Sequence, residues 1–199
     1  ANGGFVVTWR MDVLGNSSSE YVAVQMFDPN GNKVGGELNV VTNYLGLTQD
    51  TLLVIPARDG GFFVTWNSGF AGDHVYVQRY SAAGAKIGTA VQADTSSVIS
   101  HAMPDIALLD DGSFIVTWSE RASGSSVSDI YVRHFDAIGA PTGVPFKVNN
   151  TAAITQRSSA VAALDAGGYA IAWRDGTNNA VLMQVFSASD LAVGGETTV

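Results

Sequence analysis

A six-residue string ending in tryptophan occurs four times along the chain and constrains its fold more than any other feature. The four copies are Gly4–Trp9, Gly61–Trp66, Ser113–Trp118 and Gly168–Trp173. Repeats at such intervals form structural units that bury their apolar faces against one another. The sequence therefore predicts a single repeat domain, residues 1–199, with repeats at about 1–48, 49–100, 101–155 and 156–199.

Each repeat is predicted to form four short antiparallel β-strands. The first is a nearly continuous apolar run such as Asp105–Leu109, and a tight turn such as Asp110–Ser113 leads into the second. The second strand, for example Phe62–Trp66, is apolar on both faces, because alternate residues of a strand point to opposite sides. The third strand, for example Val75–Tyr80, precedes a fourth and more polar one. No segment shows capped helical periodicity, so helix content is expected to be negligible.

Units of this kind are typical of the blades of a β-propeller, in which each sheet packs against two neighbours. The predicted fold is therefore all-β, a β-propeller-like array of four four-stranded antiparallel units. An open stack of the same units is the alternative. A double sandwich is the third possibility, but it is expected to leave one polar face on each sheet.

The first unit is predicted to lack its innermost strand. The sequence contains four copies of the second, third and fourth strands but only three copies of the first. The edge near Phe5–Trp9 is therefore left without a neighbour, and unpaired backbone groups at an edge favour strand addition. We expect this edge to pair with further repeats of a longer array or with another copy of the chain.

Three strings resemble the tandem repeats of very large secreted bacterial surface proteins, which often also carry hemolysin-type (RTX) calcium-binding repeats. The strings are Gly3–Trp9, Tyr76–Tyr80 and Phe27–Glu37. The resemblance covers essentially the whole chain and implies an extracellular or cell-surface location. It implies no activity for particular residues. The Gly-Gly-x-Gly-x-Asp nonapeptide of RTX proteins is absent from the sequence, so their calcium mechanism is not transferred.

Composition excludes several classes of function. The chain has 10 lysine and arginine residues against 18 acidic residues, which gives a net charge of −8. Neither nucleic acid nor an anionic membrane surface is therefore an expected partner. No apolar run is long enough to span a bilayer, so membrane insertion is not expected. The chain has no cysteine, which excludes disulfides and thiolate chemistry.

One turn carries oxygen atoms at alternating positions, as some calcium loops do. Asp28, Asn30 and Asn32, together with Glu37, supply the donor types that calcium prefers. The other repeats lack the complete set, and a Pro-Asn-Gly turn explains these residues without an ion. No cofactor is therefore expected, and calcium at these four residues is the alternative.

Two sets of repeated residues are interpreted as structural. The four tryptophans occupy one position of an apolar strand, which predicts packing between units. One position of the third strand is polar in every repeat and is predicted to bridge neighbouring units by hydrogen bonds. The residues at that position are Gln25, Gln78, Arg133 and Gln184.

No catalytic site is expected from the sequence. His74, His101 and His134 show no short metal-ligand spacing, and His101 occupies a position that Gln49 and Gln156 fill in other repeats. His101 is therefore interpreted as a hydrogen-bonding substitute for glutamine. The paired carboxylates of a glycoside hydrolase converge in space rather than in sequence, so they stay open as the least favoured possibility.

The predicted function is a non-catalytic extracellular repeat module that acts as a structural, adhesive or self-assembling subunit. The alternative is a carbohydrate-binding, lectin-like module that binds a glycan through its variable loops. These loops are residues 10–20, 67–72, 119–128 and 174–179. They are rich in serine, glycine and asparagine, whose small polar groups form adaptable hydrogen bonds.

Overall fold

The chain folds into fifteen β-strands and one short 3₁₀ turn, Asp165–Gly167, within the part described here. The computed structural model describes residues 3–11, 21–42, 51–68, 73–96, 99–122, 124–150, 155–176 and 179–199. Sheet 1 contains β1 (Phe5–Met11), β2 (Tyr21–Phe27) and β3 (Lys33–Thr42). Sheet 2 contains β4 (Leu52–Pro56), β5 (Phe62–Ser68), β6 (His74–Tyr80) and β7 (Lys86–Gln92). Sheet 3 contains β8 (Ile99–Leu108), β9 (Phe114–Ala122), β10 (Ser128–Phe135) and β11 (Phe146–Lys147). Sheet 4 contains β12 (Gln156–Ala163), β13 (Tyr169–Asp175), β14 (Val181–Phe186) and β15 (Ala192–Thr198).

In every sheet the strands are antiparallel and follow one another in chain order. Sheets 2, 3 and 4 have four strands each, and sheet 1 has three in the described residues. The prediction of a propeller-like array is confirmed, and within the described residues the first unit has no innermost strand.

The sheets pack face to face, and one apolar cluster fills each of the three contacts between successive sheets. Sheets 1 and 2 enclose Val24, Phe62 and Trp66, and sheets 2 and 3 enclose Phe63 and Trp118. A third cluster between sheets 3 and 4 includes Ile115, Ile130, Tyr169 and Trp173. Phe62 and Phe63 thus face different neighbours, as the strand period requires. Each large side chain buried in this way stabilises the fold by roughly 1.5–3 kcal/mol.

Three of the four repeated tryptophans lie in these apolar clusters. Trp66, Trp118 and Trp173 are buried, and each packs in the cluster toward the preceding sheet. Trp9 is only half-buried, and Phe5 on the same face of β1 is 50% exposed. β1 is also the edge strand of sheet 1 and pairs only with β2 among the described strands. The partner expected at this edge stays a prediction.

The repeated glutamines stabilise a bulge inside their own sheet. Gln78 Nε2 donates hydrogen bonds to the carbonyls of Arg79 at 2.9 Å and Ile87 at 3.1 Å, where the β6–β7 pairing shifts register. Gly88 lies in this bulge with a φ of +67°, which favours glycine. Gln25 and Gln184 make the same bonds in sheets 1 and 4. The prediction that these glutamines bridge neighbouring units is therefore wrong.

Arg133 is the exception among the four equivalent residues. Its Nη1 donates to the carbonyl of Ala93 at 2.9 Å, which belongs to the preceding unit. Its Nε donates to Gly143 in its own unit at 2.8 Å. A guanidinium has enough donors to serve both partners at once. The bridging prediction is confirmed for this residue.

Candidate functional site

A polar pocket of about 370 Å³ lies where the innermost strands β8 and β12 begin. It also receives residues from the ends of β5 and β9 and from the start of β10. Its described lining consists mainly of hydroxyl, carboxylate and guanidinium groups. These lining residues are Asn67, Asp73, Ser100, His101, Ala102, Met103, Ser119, Arg121, Ser126, Ser128, Thr155 and Arg157.

The two innermost strands are bulged at this pocket. The β8–β9 pairing shifts register between Ala102 and Asp105, and the β12–β13 pairing shifts between Arg157 and Ala160. Met103 and Ser158 lie inside these bulges with φ values of +54° and +56°. Bulges redirect side chains, and left-handed backbone at residues other than glycine is concentrated at functional sites. The apolar part of each inner strand therefore begins only after the pocket.

Charged groups of both signs face the pocket. The Oδ2 atom of Asp73 accepts a hydrogen bond of 3.0 Å from Ser100 Oγ, and Asp73 itself has a φ of +42°. Arg121 and Arg157 contribute two exposed guanidinium groups. A carboxylate acceptor, several hydroxyls and two rigid donors suit a ligand rich in hydroxyl groups.

A buried cluster of four ionisable side chains lies next to the pocket, where sheets 2 and 3 meet. His74 Nδ1 is 2.7 Å from Asp94 Oδ1, and His101 Nε2 is 3.2 Å from Glu120 Oε2. The distance from His101 Nε2 to Asp94 Oδ1 is 3.7 Å. The side chains of Asp94 and His101 are completely buried. His101 belongs to both the cluster and the pocket lining.

The protonation of His101 reflects two opposing effects. Burial disfavours its imidazolium form, but the hydrogen bond with Glu120 and the charges of Asp94 and Glu120 outweigh burial and raise the pKa of His101. Its Nδ1 atom lies 2.7 Å from the backbone carbonyl of Asp73, so Nδ1 carries a proton.

Sequence reasoning missed this cluster. His74 and His101 are far apart in sequence, and the pairing of adjacent units brings their rings to 5.5 Å. The interpretation of His101 as a substitute for glutamine is incomplete, because the His101 ring also contacts the carboxylates of Asp94 and Glu120 and lies next to the ring of His74. The available signal was the replacement of glutamine, found at Gln49 and Gln156, by a histidine at residue 101.

Of the residues predicted to hold calcium, Asp28, Asn30 and Asn32 lie in the β2–β3 turn. None of the four lines the pocket in the described structure. Asp28 Oδ1 accepts hydrogen bonds from the backbone N–H groups of Asn30 at 2.9 Å and Asn32 at 2.8 Å. The Asn32 side-chain amide donates to Asp28 Oδ2, and these bonds lower the pKa of Asp28. Glu37 lies within β3 and makes no hydrogen bond to the described residues of this turn. Calcium binding here stays a prediction.

The carbohydrate-binding alternative assigns the glycan to the variable loops, and the structure describes these loops only in part. Residues 12–20, 69–72, 123 and 177–178 lie outside the described residues. Among the residues that are described, no helix has the length and apolar character needed to cross a membrane.

No protein-family profile matches the sequence, and no curated protein matches it either. Solved structures do match. An alpha-L-arabinanase from Penicillium chrysogenum, complexed with arabinobiose, superposes with a TM-score of 0.63 at 14% identity over 99% of this chain and 59% of its own. A variant of the alpha-L-arabinofuranosidase from Fusarium graminearum, bound to an iminosugar inhibitor, gives 0.66 at 14% identity over 98% and 59%. A beta-1,3-galactosidase gives 0.55 at 12% identity over 100% and 43%.

The chain has a β-propeller-like fold. It spans about three-fifths or less of the length of these similar structures, whose coverage is 59%, 59% and 43%.

The prediction of a non-catalytic structural, adhesive or self-assembling module is wrong. The three similar structures named above are those of enzymes, an arabinanase, an arabinofuranosidase and a beta-1,3-galactosidase. The first strands of the complete repeats are apolar along most of their length. In the structure, their bulged beginnings differ between repeats and bring Ser100, His101 and Arg157 to a pocket.

Proposed function

We propose that this chain is the propeller part of a carbohydrate-degrading enzyme and that a sugar binds in the pocket between β8 and β12. The observation that carries the proposal is the polar, non-repeating lining at the bulged ends of two inner strands. Similar folds are found in an arabinanase bound to arabinobiose and in an arabinofuranosidase bound to an iminosugar. These similarities support a sugar as the ligand class.

The pocket provides the groups that a sugar requires. Sugar hydroxyls both donate and accept hydrogen bonds, and Asp73 can accept while Arg121 and Arg157 can donate. A volume of about 370 Å³ suits one or two sugar rings, since small-ligand sites begin at about 300 Å³. The net charge of −8 favours a neutral ligand over an anionic one.

Asp73 is the carboxylate proposed to take part in the reaction. Glycoside hydrolysis uses two carboxyl groups, one as acid or base and one as base or nucleophile. Asp73 is the one carboxylate among the described lining residues, and Ser100 orients it with a hydrogen bond of 3.0 Å. The proposal assigns Asp73 to one of these two roles.

Hydrolysis of neutral glycosides tests this function. The chain is incubated with arabinan, galactan and the matching 4-nitrophenyl glycosides, and released sugar is quantified. We expect turnover of at least one substrate and a loss of about 100-fold or more in kcat for Asp73→Asn.

Glu37→Gln provides the matched control, because Glu37 is an exposed carboxylate of β3 outside the pocket. It is expected to leave the rate unchanged. Absence of turnover on every substrate, or an equal rate for wild type and Asp73→Asn, would contradict the proposal.

A further inference from the structure

We propose that His74, Asp94, His101 and Glu120 form a binding site for a divalent transition-metal cation of the zinc type between sheets 2 and 3. The site is distinct from the sugar pocket, although His101 borders both.

The four side chains present a compact set of nitrogen and oxygen donors. Ligand atoms of His74, Asp94 and His101 all lie within 4.8 Å of one another. Zinc binds histidine nitrogen and carboxylate oxygen at about 2.0–2.2 Å, so two ligands of a tetrahedral site are roughly 3.4 Å apart. The separations of 3.2 Å and 3.7 Å around His101 Nε2 are close to this value.

The orientation of His101 favours a cation. Its protonated Nδ1 donates to the carbonyl of Asp73 at 2.7 Å, so the lone pair of the neutral ring lies on Nε2. That lone pair faces oxygens of Asp94 and Glu120 in a completely buried position. A positive charge at Nε2, either a proton or a metal cation, offsets the negative charge of these two carboxylates.

Each carboxylate is held by further hydrogen bonds, as in natural metal sites. Asp94 Oδ2 accepts from the backbone N–H of Val75 at 2.8 Å, and Oδ1 accepts from Gln92 Nε2 at 2.8 Å. Glu120 Oε2 accepts from Trp118 Nε1 at 3.2 Å. The proposed ligands are thus positioned by groups that are not themselves ligands.

The equivalent positions between sheets 3 and 4 contain no histidine. Asn149 takes the place of Asp94, and its Oδ1 accepts from the backbone N–H of Ile130 at 2.8 Å. Its Nδ2 donates to Asp129 Oδ1 at 2.8 Å. Asp129 and Gln156 take the places of the two histidines. The Asn149 amide there forms ordinary hydrogen bonds, whereas the cluster between sheets 2 and 3 has two imidazoles beside its carboxylates.

Metal binding is tested on the chain after treatment with a chelator. Titration with Zn²⁺ followed by calorimetry is expected to give one site per chain with a Kd of about 1 µM or lower. Titration with Co²⁺ is expected to give the intense visible absorption of a four-coordinate ion. Both measurements are independent of sugar binding and of hydrolysis.

Two variants copy the neighbouring unit and are therefore expected to fold. His101→Gln and Asp94→Asn introduce the residues found at Gln156 and Asn149, and each is expected to weaken Zn²⁺ binding about 100-fold or more. His134→Gln alters the histidine outside the cluster and is expected to bind like wild type.

Two results with the wild-type chain would each overturn the proposal without any variant. They are the binding of less than a tenth of an equivalent of Zn²⁺ and a Co²⁺ absorption typical of six-coordination. Unchanged affinity in a folded His101→Gln variant would also overturn it. Far-ultraviolet circular dichroism establishes the folding of each variant.

Discussion

His101 Nδ1 donates a hydrogen bond of 2.7 Å to the backbone carbonyl of Asp73. The bond joins the start of β6 in sheet 2 to the inner strand β8 of sheet 3. The backbone N–H of His101 donates to the same carbonyl at 3.0 Å. One residue thus fixes the backbone of the pocket carboxylate and contributes an imidazole to the buried cluster.

Replacing His101 by alanine is expected to lower the free energy of unfolding by about 3 kcal/mol, because it creates a cavity and leaves a buried carboxylate without its partner. His101→Gln is expected to lose clearly less, since Gln156 is accommodated at the equivalent position. Urea unfolding followed by tryptophan fluorescence measures both. Equal losses in the two variants would show that the ring makes no specific contribution.

Gln78→Ala is expected to cost about 1–3 kcal/mol, because the substitution leaves carbonyls of the β6–β7 bulge without their donor. Gly88→Ala tests the other component of the bulge and is expected to cost about 1 kcal/mol through its positive φ. Thermal and urea unfolding report both changes. A neutral Gln78→Ala variant would contradict the structural role assigned to the repeated glutamines.

Trp118→Ala is expected to cost about 3–5 kcal/mol, as truncation of a completely buried aromatic residue does. Trp9→Ala is expected to cost about 1 kcal/mol or less, because Trp9 is half-buried on a face that the described sheets leave open. Urea unfolding of the two variants provides the comparison. Equal losses would mean that Trp9 is buried in solution.

Asp105→Asn tests the electrostatics of the inner strand. Burial raises the pKa of the Asp105 carboxyl, although hydrogen bonds from the N–H groups of Val161 and Ile106 act in the opposite direction. The folded state therefore binds the proton more tightly than the unfolded chain. The free energy of unfolding from this group falls as pH rises from the unfolded pKa through the raised folded pKa.

The variant is consequently expected to be more stable than wild type at about pH 7. It is expected to lose this advantage at about pH 3, where the Asp105 carboxyl of the wild type is neutral in both the folded and the unfolded state. The asparagine oxygen can still accept from Val161 N, which now donates to Asp105 Oδ2 at 2.7 Å. Urea unfolding at both pH values measures the difference. A stability difference that does not change with pH would contradict the raised pKa.

The fold was predictable because its signals are local and repeated. Alternation along Phe62–Trp66 predicts a sheet covered on both faces, and the structure places Phe62 and Phe63 in different clusters. The number of copies of each strand predicts that the first unit has one strand fewer than the others. The repetition of glutamine in the third strand predicts a structural role, but it does not predict that the hydrogen bonds stay within one sheet. Their direction depends on a bulge that the sequence pattern does not show.

The candidate site was largely unpredictable, since it depends on contacts between units. Bulges at Met103 and Ser158 place polar residues in the pocket, although the strands continue as apolar runs. His74 and His101 come close together only because sheet 2 packs against sheet 3. Asp28, Asn30 and Asn32 of the predicted calcium set form a local turn, which is the kind of feature that sequence spacing detects most easily.

The most direct test of the central claim is a titration of the ¹⁵N-labelled chain with arabino- and galacto-oligosaccharides, followed by backbone amide chemical shifts. Binding in the pocket predicts saturable shifts concentrated at residues 100–103, 119–121, 126–128 and 155–157, and their loss in Arg157→Ala. The absence of saturable shifts, or shifts confined to residues outside this pocket, would contradict the account.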